Sequence, residues 1–255
     1  PAAEEWLHRL GSEGAIAFAR SLGVRPSMQI RTNGLKIDRE TLSKTLKKDG
    51  IETVPIKGTS HGLTVTGRAN LLATKAFKSG LFEVQDASSQ RLCEHLPIEP
   101  GMRVLDLCAG AGGKSLALAA KGAQVVATDI REKALRELGK RAERADADIQ
   151  LEQPSTAQIV LVDAPCSGSG RLRRNPALRW GLTDGTHIEI QRELLEAATK
   201  WVGAGGLLVY ATCSLFQREN DHPTPSGWST IEETTLWPHI DHCDGFYWRL
   251  MRRTE

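Results

Sequence analysis

A doubly wound α/β domain with a mostly parallel, Rossmann-like sheet, preceded by a smaller α+β unit, is the fold class this 255-residue chain predicts. Three observations carry it. Short apolar runs at residues 159–162 and 207–210 suit strands of a sheet buried on both faces. From about residue 82 onward such runs alternate with amphipathic stretches of helical length. Before that point the chain is more polar and keeps a β-α-β rhythm of its own.

The first unit is placed at residues 1–80. Residues 5–22 read as one or two short helices, with apolar Trp6, Leu7, Leu10, Ile16 and Phe18. Pro26 ends that pattern, and residues 28–31 read as a strand. Residues 38–48 predict an amphipathic helix with Leu42 and Leu46 on one face and Asp38 as its cap. Residues 51–56 and 63–65 are further strands, punctuated by Gly58 and Gly62. The second unit takes residues 81–255. A helix at 88–96 is stopped by Pro97 and Pro100-Gly101. Strands are expected at 103–107, 124–128, 159–163 and 207–212, interleaved with helices at 114–121, 131–145 and 187–201. Residues 246–251 would supply a final strand.

Composition narrows the function classes. With 40% hydrophobic and 25% charged residues, no apolar run reaches bilayer length. The first six residues lack the basic and then apolar profile of a secretory signal. The five cysteines are odd in number and without C-x-x-C spacing, which disfavours a disulfide framework or a zinc site. No metal is expected, no membrane partner, and a reducing cytoplasm is the expected compartment. A monomer is expected.

Three strand-to-loop junctions carry the chemistry. Ligands of open α/β sheets bind beyond the carboxyl ends of the strands. Cys166 follows one apolar run, in Asp163-Ala164-Pro165-Cys166-Ser167-Gly168, and Cys213 follows another, in Ala211-Thr212-Cys213-Ser214. Both thiols would therefore face one crevice. The third junction, residues 106–115, holds a glycine turn around Cys108, Ala109, Gly110, Gly112 and Gly113, followed by Lys114 and Ser115. Such a turn lets the backbone approach a ligand at a helix N-terminus. Two motifs compete for it. A P-loop would use Gly113-Lys114-Ser115 but has Cys108 at its first glycine position; a dinucleotide fingerprint has serine at its last. Asp129, nineteen residues after Gly110, favours an adenosyl cofactor whose ribose it would bind.

Beyond Cys166 lie Arg171, Arg173, Arg174 and Arg179, closed by Trp180. A charge run is ordinarily a solvated face. Beside the crevice, and ending in an aromatic, this one suits an anionic, stackable substrate such as single-stranded nucleic acid.

Taken together, these segments resemble the Sun (RsmB-like) family of RNA cytosine-5 methyltransferases. The motifs are residues 82–90, the turn at 106–115, Asp163-Ala164-Pro165-Cys166, Arg173-Arg174-Asn175-Pro176, Thr212-Cys213-Ser214, Glu219-Asn220 and 242–247. Residues 30–33 and 67–71 are similar to the family's small, RRM-like RNA-binding unit. Two departures stand out: Ala111 replaces a proline common in the family turn, and residues 146–152 offer no match to the acid that usually contacts the adenine side.

The resemblance implies S-adenosylmethionine as cofactor, held by the glycine turn, Lys114, Asp129 with its neighbours Ile130 and Arg131, Asp163 and Pro165. It implies transfer of a methyl group to carbon 5 of cytosine in RNA, with ribosomal RNA favoured over transfer RNA. Residue types alone leave open which cysteine attacks. The resemblance assigns attack on carbon 6 to Cys213 and adduct release to Cys166, with Asp163 at the cytosine edge and Lys114 near the active site. A P-loop NTPase and a non-catalytic RNA-binding scaffold are the competing readings.

Overall fold

The computed structural model describes residues 2–182 and 185–254. The first segment forms α1 (Ala2–Leu22), broken into two helical stretches by a non-helical Gly11. A four-stranded antiparallel sheet follows, built from β1 (Gln29–Thr32), β2 (Thr53–Pro55), β3 (Gly62–Val65) and β4 (Phe82–Val84), in the order β2-β3-β1-β4. Helix α2 (Arg39–Lys48) covers it, inserting Leu42 and Leu46 among Ile30, Leu63, Val65 and Phe82. Asp38 caps this helix as expected, accepting from the Thr41 N–H at 2.9 Å. The one-turn helix α3 (Lys75–Lys78) leads into β4, which lies beyond the expected boundary at residue 80.

The larger sheet has seven strands: β5 (Arg103–Asp106), β6 (Gln124–Ala127), β7 (Ile149–Gln150), β8 (Ala157–Asp163), β9 (Val202–Thr212), β10 (Trp228–Leu236) and β11 (Phe246–Arg253). Their order is β10-β11-β9-β8-β5-β6-β7. Strands β5 to β9 pair in parallel, and β11 inserts antiparallel between β9 and β10. Successive strand residues face opposite sides. Val104, Ile159, Leu161, Val209 and Ala211 meet α4 (Ala87–His95), α5 (Gly113–Ala119) and α6 (Glu132–Ala145). Leu105, Val160, Val162, Leu208 and Tyr210 meet α7 (Ile188–Ala198) on the other side. Short helices α8 (Gln217–Asn220) and α9 (Pro238–Asp241) complete the chain's elements.

Three features depart from the sequence reading. Strand β9 starts at Val202, so residues 202–206 extend the sheet ahead of the strand expected at 207–212. Strand β10 was not anticipated: its residues, Trp-Ser-Thr-Ile-Glu-Glu-Thr-Thr-Leu, are mostly polar because an edge strand needs only one ladder partner and faces water. Helix α1 does not join the front sheet. Trp6 and Phe18 pack on Leu172, Leu215, Phe216 and Trp237 of the large unit, with the Trp6 and Phe216 rings stacked 5.6 Å apart.

The two sheets are joined by buried polar contacts. Asn33 donates to the carbonyls of Gly80 and Ala145, and Glu83 pairs with Arg141 and Arg144 of α6. Gln29 accepts from the Ala87 N–H at 2.7 Å.

Candidate active site

The cofactor turn leaves β5 at Asp106. Gly112 takes φ +83°, and a Cβ there would lie 2.4 Å from Cγ of Leu138, so conformation and space both require glycine. That contact seats the turn on α6. The Gly110 N–H donates to Asp129 Oδ2 at 2.8 Å, fixing the turn to the tip of β6. Arg131 donates to the same carboxylate through its backbone N–H at 2.8 Å and Nε at 2.9 Å. Burial opposes the charge on Asp129, but these hydrogen bonds and the Arg131 charge outweigh it and hold the carboxyl below its usual range. Ile130, between them, is 99% exposed.

Asp106 itself, missed as a site residue, is buried. Its Oδ2 accepts from Ser115 Oγ at 2.6 Å while Oδ1 has no partner. Burial raises its pKa to about 6. The available signal was an acid ending a buried strand. Lys114, in the first turn of α5, is no surface lysine. Its Nζ reaches across to Asp163 Oδ2 at 2.5 Å and lies 5.1 Å from the centroid of the Phe246 ring. Burial favours the neutral amine, yet the Asp163 carboxylate more than offsets this and raises the Lys114 pKa. Lys114 is thus paired with Asp163 and Ser115 with Asp106.

Strands β8 and β9 are parallel neighbours with Asp163 opposite Ala211, so their two loops leave the sheet side by side. The Cys166 and Cys213 sulfurs lie 3.3 Å apart, and both are free thiols. Gly170 donates to the Cys213 carbonyl at 2.9 Å, and a Cβ on Gly170 would sit 1.9 Å from the Gly245 oxygen. Only glycine allows that approach. The hydrogen bond from Cys166 lowers the Cys213 pKa, helped by the charges of Arg171 and Lys114 and opposed by burial and Asp163. The same bond, burial and the charge of Glu219 push Cys166 well up. The two thiols thus ionise unequally, Cys213 ahead of Cys166.

The arginine run divides. Arg173 and Arg174 pair with Asp244 at 3.2 and 3.0 Å, and Arg174 also with Asp86 at 2.7 Å. The Arg173 side chain is only 10% exposed. Their guanidinium groups are thus engaged with carboxylates contributed from distant segments. Arg171 and Arg179 remain exposed. Arg179 lies 4.7 Å from the Trp180 ring centroid, and Trp180 is 81% exposed rather than core. Among the described residues no group of three or more His, Cys, Asp or Glu is placed to hold a metal ion. Among the described residues no helix is long and apolar enough to cross a membrane.

Residues 94–226 match the family described as 16S rRNA methyltransferase RsmB/F, and residues 3–71 match the RsmF/B-like ferredoxin-like domain. The chain belongs to the RsmB/F family. Among curated relatives, ribosomal RNA small subunit methyltransferase B of Pectobacterium atrosepticum is 31% identical over 88% of this chain and 59% of its own. A probable ribosomal RNA small subunit methyltransferase B of Synechocystis is 32% identical over 95% of this chain and 65% of its own. The chain thus spans about three fifths of the length of these relatives. The crystal structure of PH0851 superposes with a TM-score of 0.90 at 29% identity, covering 99% of this chain and 65% of that one. As an RsmB/F member, the chain has the Rossmann-like sheet and the ferredoxin-like front unit that its sequence predicted.

Proposed function

We propose that this RsmB/F chain transfers a methyl group from S-adenosylmethionine to carbon 5 of a cytosine in small-subunit ribosomal RNA, through a covalent adduct on Cys213. The observation that carries the reading is the pair of free thiols 3.3 Å apart, one below and one above the ordinary thiol range, beside Lys114 and Asp163. The residues fit the cofactor. Buried Asp106 has an unsatisfied Oδ1 at the cofactor turn, where a cationic amine would be welcome, and Asp129 ends the next strand as a ribose acceptor. Exposed Ile130 offers an apolar face to an adenine. Bound there, S-adenosylmethionine supplies a methyl carried on a sulfonium.

The chain's own groups supply the rest. Cytosine carbon 5 is a poor nucleophile while the ring is aromatic. Attack of the Cys213 thiolate on carbon 6 breaks that aromaticity and makes carbon 5 enamine-like. Arg171 and Lys114 favour the thiolate electrostatically. Asp163, oriented by Lys114, hydrogen-bonds the cytosine edge. Once carbon 5 is methylated it loses its proton, the carbon 5–carbon 6 double bond returns, and the electron pair of the carbon–sulfur bond leaves with Cys213. Cys166, in contact with the departing sulfur, passes its own thiol proton to Cys213 as it leaves and takes up the carbon 5 proton, so both thiols end protonated.

The target base must leave its stack to reach this crevice. Arg171, Arg179 and Trp180 suit flanking nucleotides, by charge and by stacking. Residues 1–80 carry thirteen Lys and Arg against seven Asp and Glu, which suits a front unit that attracts RNA. The cytoplasm, where thiols stay reduced, suits two free catalytic cysteines. Bisulfite sequencing of ribosomal and transfer RNA incubated with the chain and S-adenosylmethionine tests the reading. A protected cytosine in small-subunit RNA is the expected result. Protection confined to transfer RNA would reassign the substrate, and label transfer without any bisulfite-resistant cytosine would overturn the chemistry.

A further inference from the structure

Glu219 belongs to the short helix α8, outside the glycine turn and the thiol pair, and it is 2% exposed. A carboxylate removed from water needs donors on both oxygens. Its Oε1 accepts from the Ser167 N–H at 2.8 Å, and its Oε2 from the Ser167 hydroxyl at 2.6 Å. The Ser214 hydroxyl donates to Oε2 as well. Ser167 directly follows Cys166, and Ser214 directly follows Cys213.

We propose that Glu219 is a positioning residue whose carboxylate ties the loop after β8 to the loop after β9 and so holds the two sulfurs in contact. The rest of the helix supports that task. The Glu219 carbonyl accepts from the buried Tyr210 hydroxyl at 2.6 Å, and the Asn220 side chain donates to the Ser214 carbonyl at 3.0 Å while accepting from Thr212 Oγ1 at 2.6 Å. Helix α8 is therefore anchored to β9 and carries the carboxylate to both loops.

The clamp also divides the labour of the thiols. Its negative charge adds to the Cys213 hydrogen bond and burial in raising the Cys166 pKa, which leaves Cys213 the thiol that ionises first. A thiol's alkylation rate follows its thiolate fraction. This deepens the cytosine-5 reading and rests on it only for the purpose the thiols serve.

The test is a timed iodoacetamide pulse on the full chain at neutral pH, with site-resolved mass spectrometry of Cys166 and Cys213. It needs neither RNA nor cofactor, so a chain that methylates no RNA would sink the proposed function and leave this measurement standing. In the parent protein Cys213 should react several-fold faster than Cys166. Glu219→Gln keeps the shape and removes the charge and an acceptor of the clamp, and the ratio should fall. Ser214→Ala removes the Ser214 donor to Oε2 and with it the acceptor of the Phe216 N–H; the ratio should fall there too, as Cys213 loses its fixed place against Cys166. Where RNA methylation is measurable, Ser214→Ala should lower kcat with KM for RNA unchanged. A folded Glu219→Gln or Ser214→Ala protein that keeps the parental alkylation ratio overturns the proposal.

Discussion

Cys166 and Cys213 end adjacent parallel strands and touch one another, yet their surroundings differ in sign. The loop of Cys213 is reached by the positive charges of Arg171 and Lys114. That of Cys166 is shadowed by the Glu219 carboxylate. Identical side chains on identical backbone features thus acquire opposite tendencies to ionise. The lesson is that the role of a strand-tip residue is set by what neighbouring loops place around it, and the residue type only bounds the choice.

The largest expected effect breaks the comparison outright. Cys213→Ala should abolish methyl transfer and leave no RNA–protein adduct on a denaturing gel, since no sulfur then attacks carbon 6. Cys166→Ala should slow turnover by about 10²–10⁴-fold, the span of a lost acid–base group, while an adduct accumulates through Cys213. An adduct trapped by Cys213→Ala instead would reverse the assignments. The arginines sharpen the contrast next. Arg173→Ala should destabilise the fold by about 3 kcal/mol in urea unfolding, the low end for breaking a buried pair because Arg174 still covers Asp244. Arg171→Ala should cost less than about 0.5 kcal/mol, as a surface change. On RNA the order inverts. Loss of Arg171 or Arg179 should reduce the salt slope of binding by about 0.7 each, and parallel titrations would show that neither meets a phosphate. The smallest effect is a displacement along the pH axis. Arg171→Gln removes a charge that lowers the Cys213 pKa, so the acidic limb of the kcat/KM profile should move to higher pH. An unmoved limb would mean that Arg171 does not activate the nucleophile.

What the sequence disclosed follows from the same physics. The strands of the large sheet were legible because burial on both faces demands continuous apolar runs, as at residues 159–162 and 207–210. The polar edge strand β10 carries no such demand and left no pattern. The glycine turn and Asp129 were legible because local spacing brings them together, and the Gly110–Asp129 bond is the result. Arg173 and Arg174 were read as a phosphate grip because the run is local, whereas Asp86 and Asp244, which engage them, stand far off in the chain. The Lys114–Asp163 pair and the Glu219 bonds to Ser167 escaped for the same reason: their partners lie 49 and 52 residues apart, and nothing in linear order announces the meeting.

Helix α1 gives the order of synthesis a consequence. It is made ahead of the large unit, yet its apolar side rests on Leu172, on Leu215 and Phe216 just behind the nucleophile, and on Trp237. At ribosomal rates of about 5–20 residues per second, that helix waits roughly 10–40 seconds for its partners to emerge. Trp6 and Phe18 stay uncovered throughout, as targets for chaperones and for other nascent chains. The loop carrying Cys213 gains its backing only when α1 meets Leu172, Leu215, Phe216 and Trp237, so a chain still short of these residues cannot present a finished nucleophile to the RNA around it.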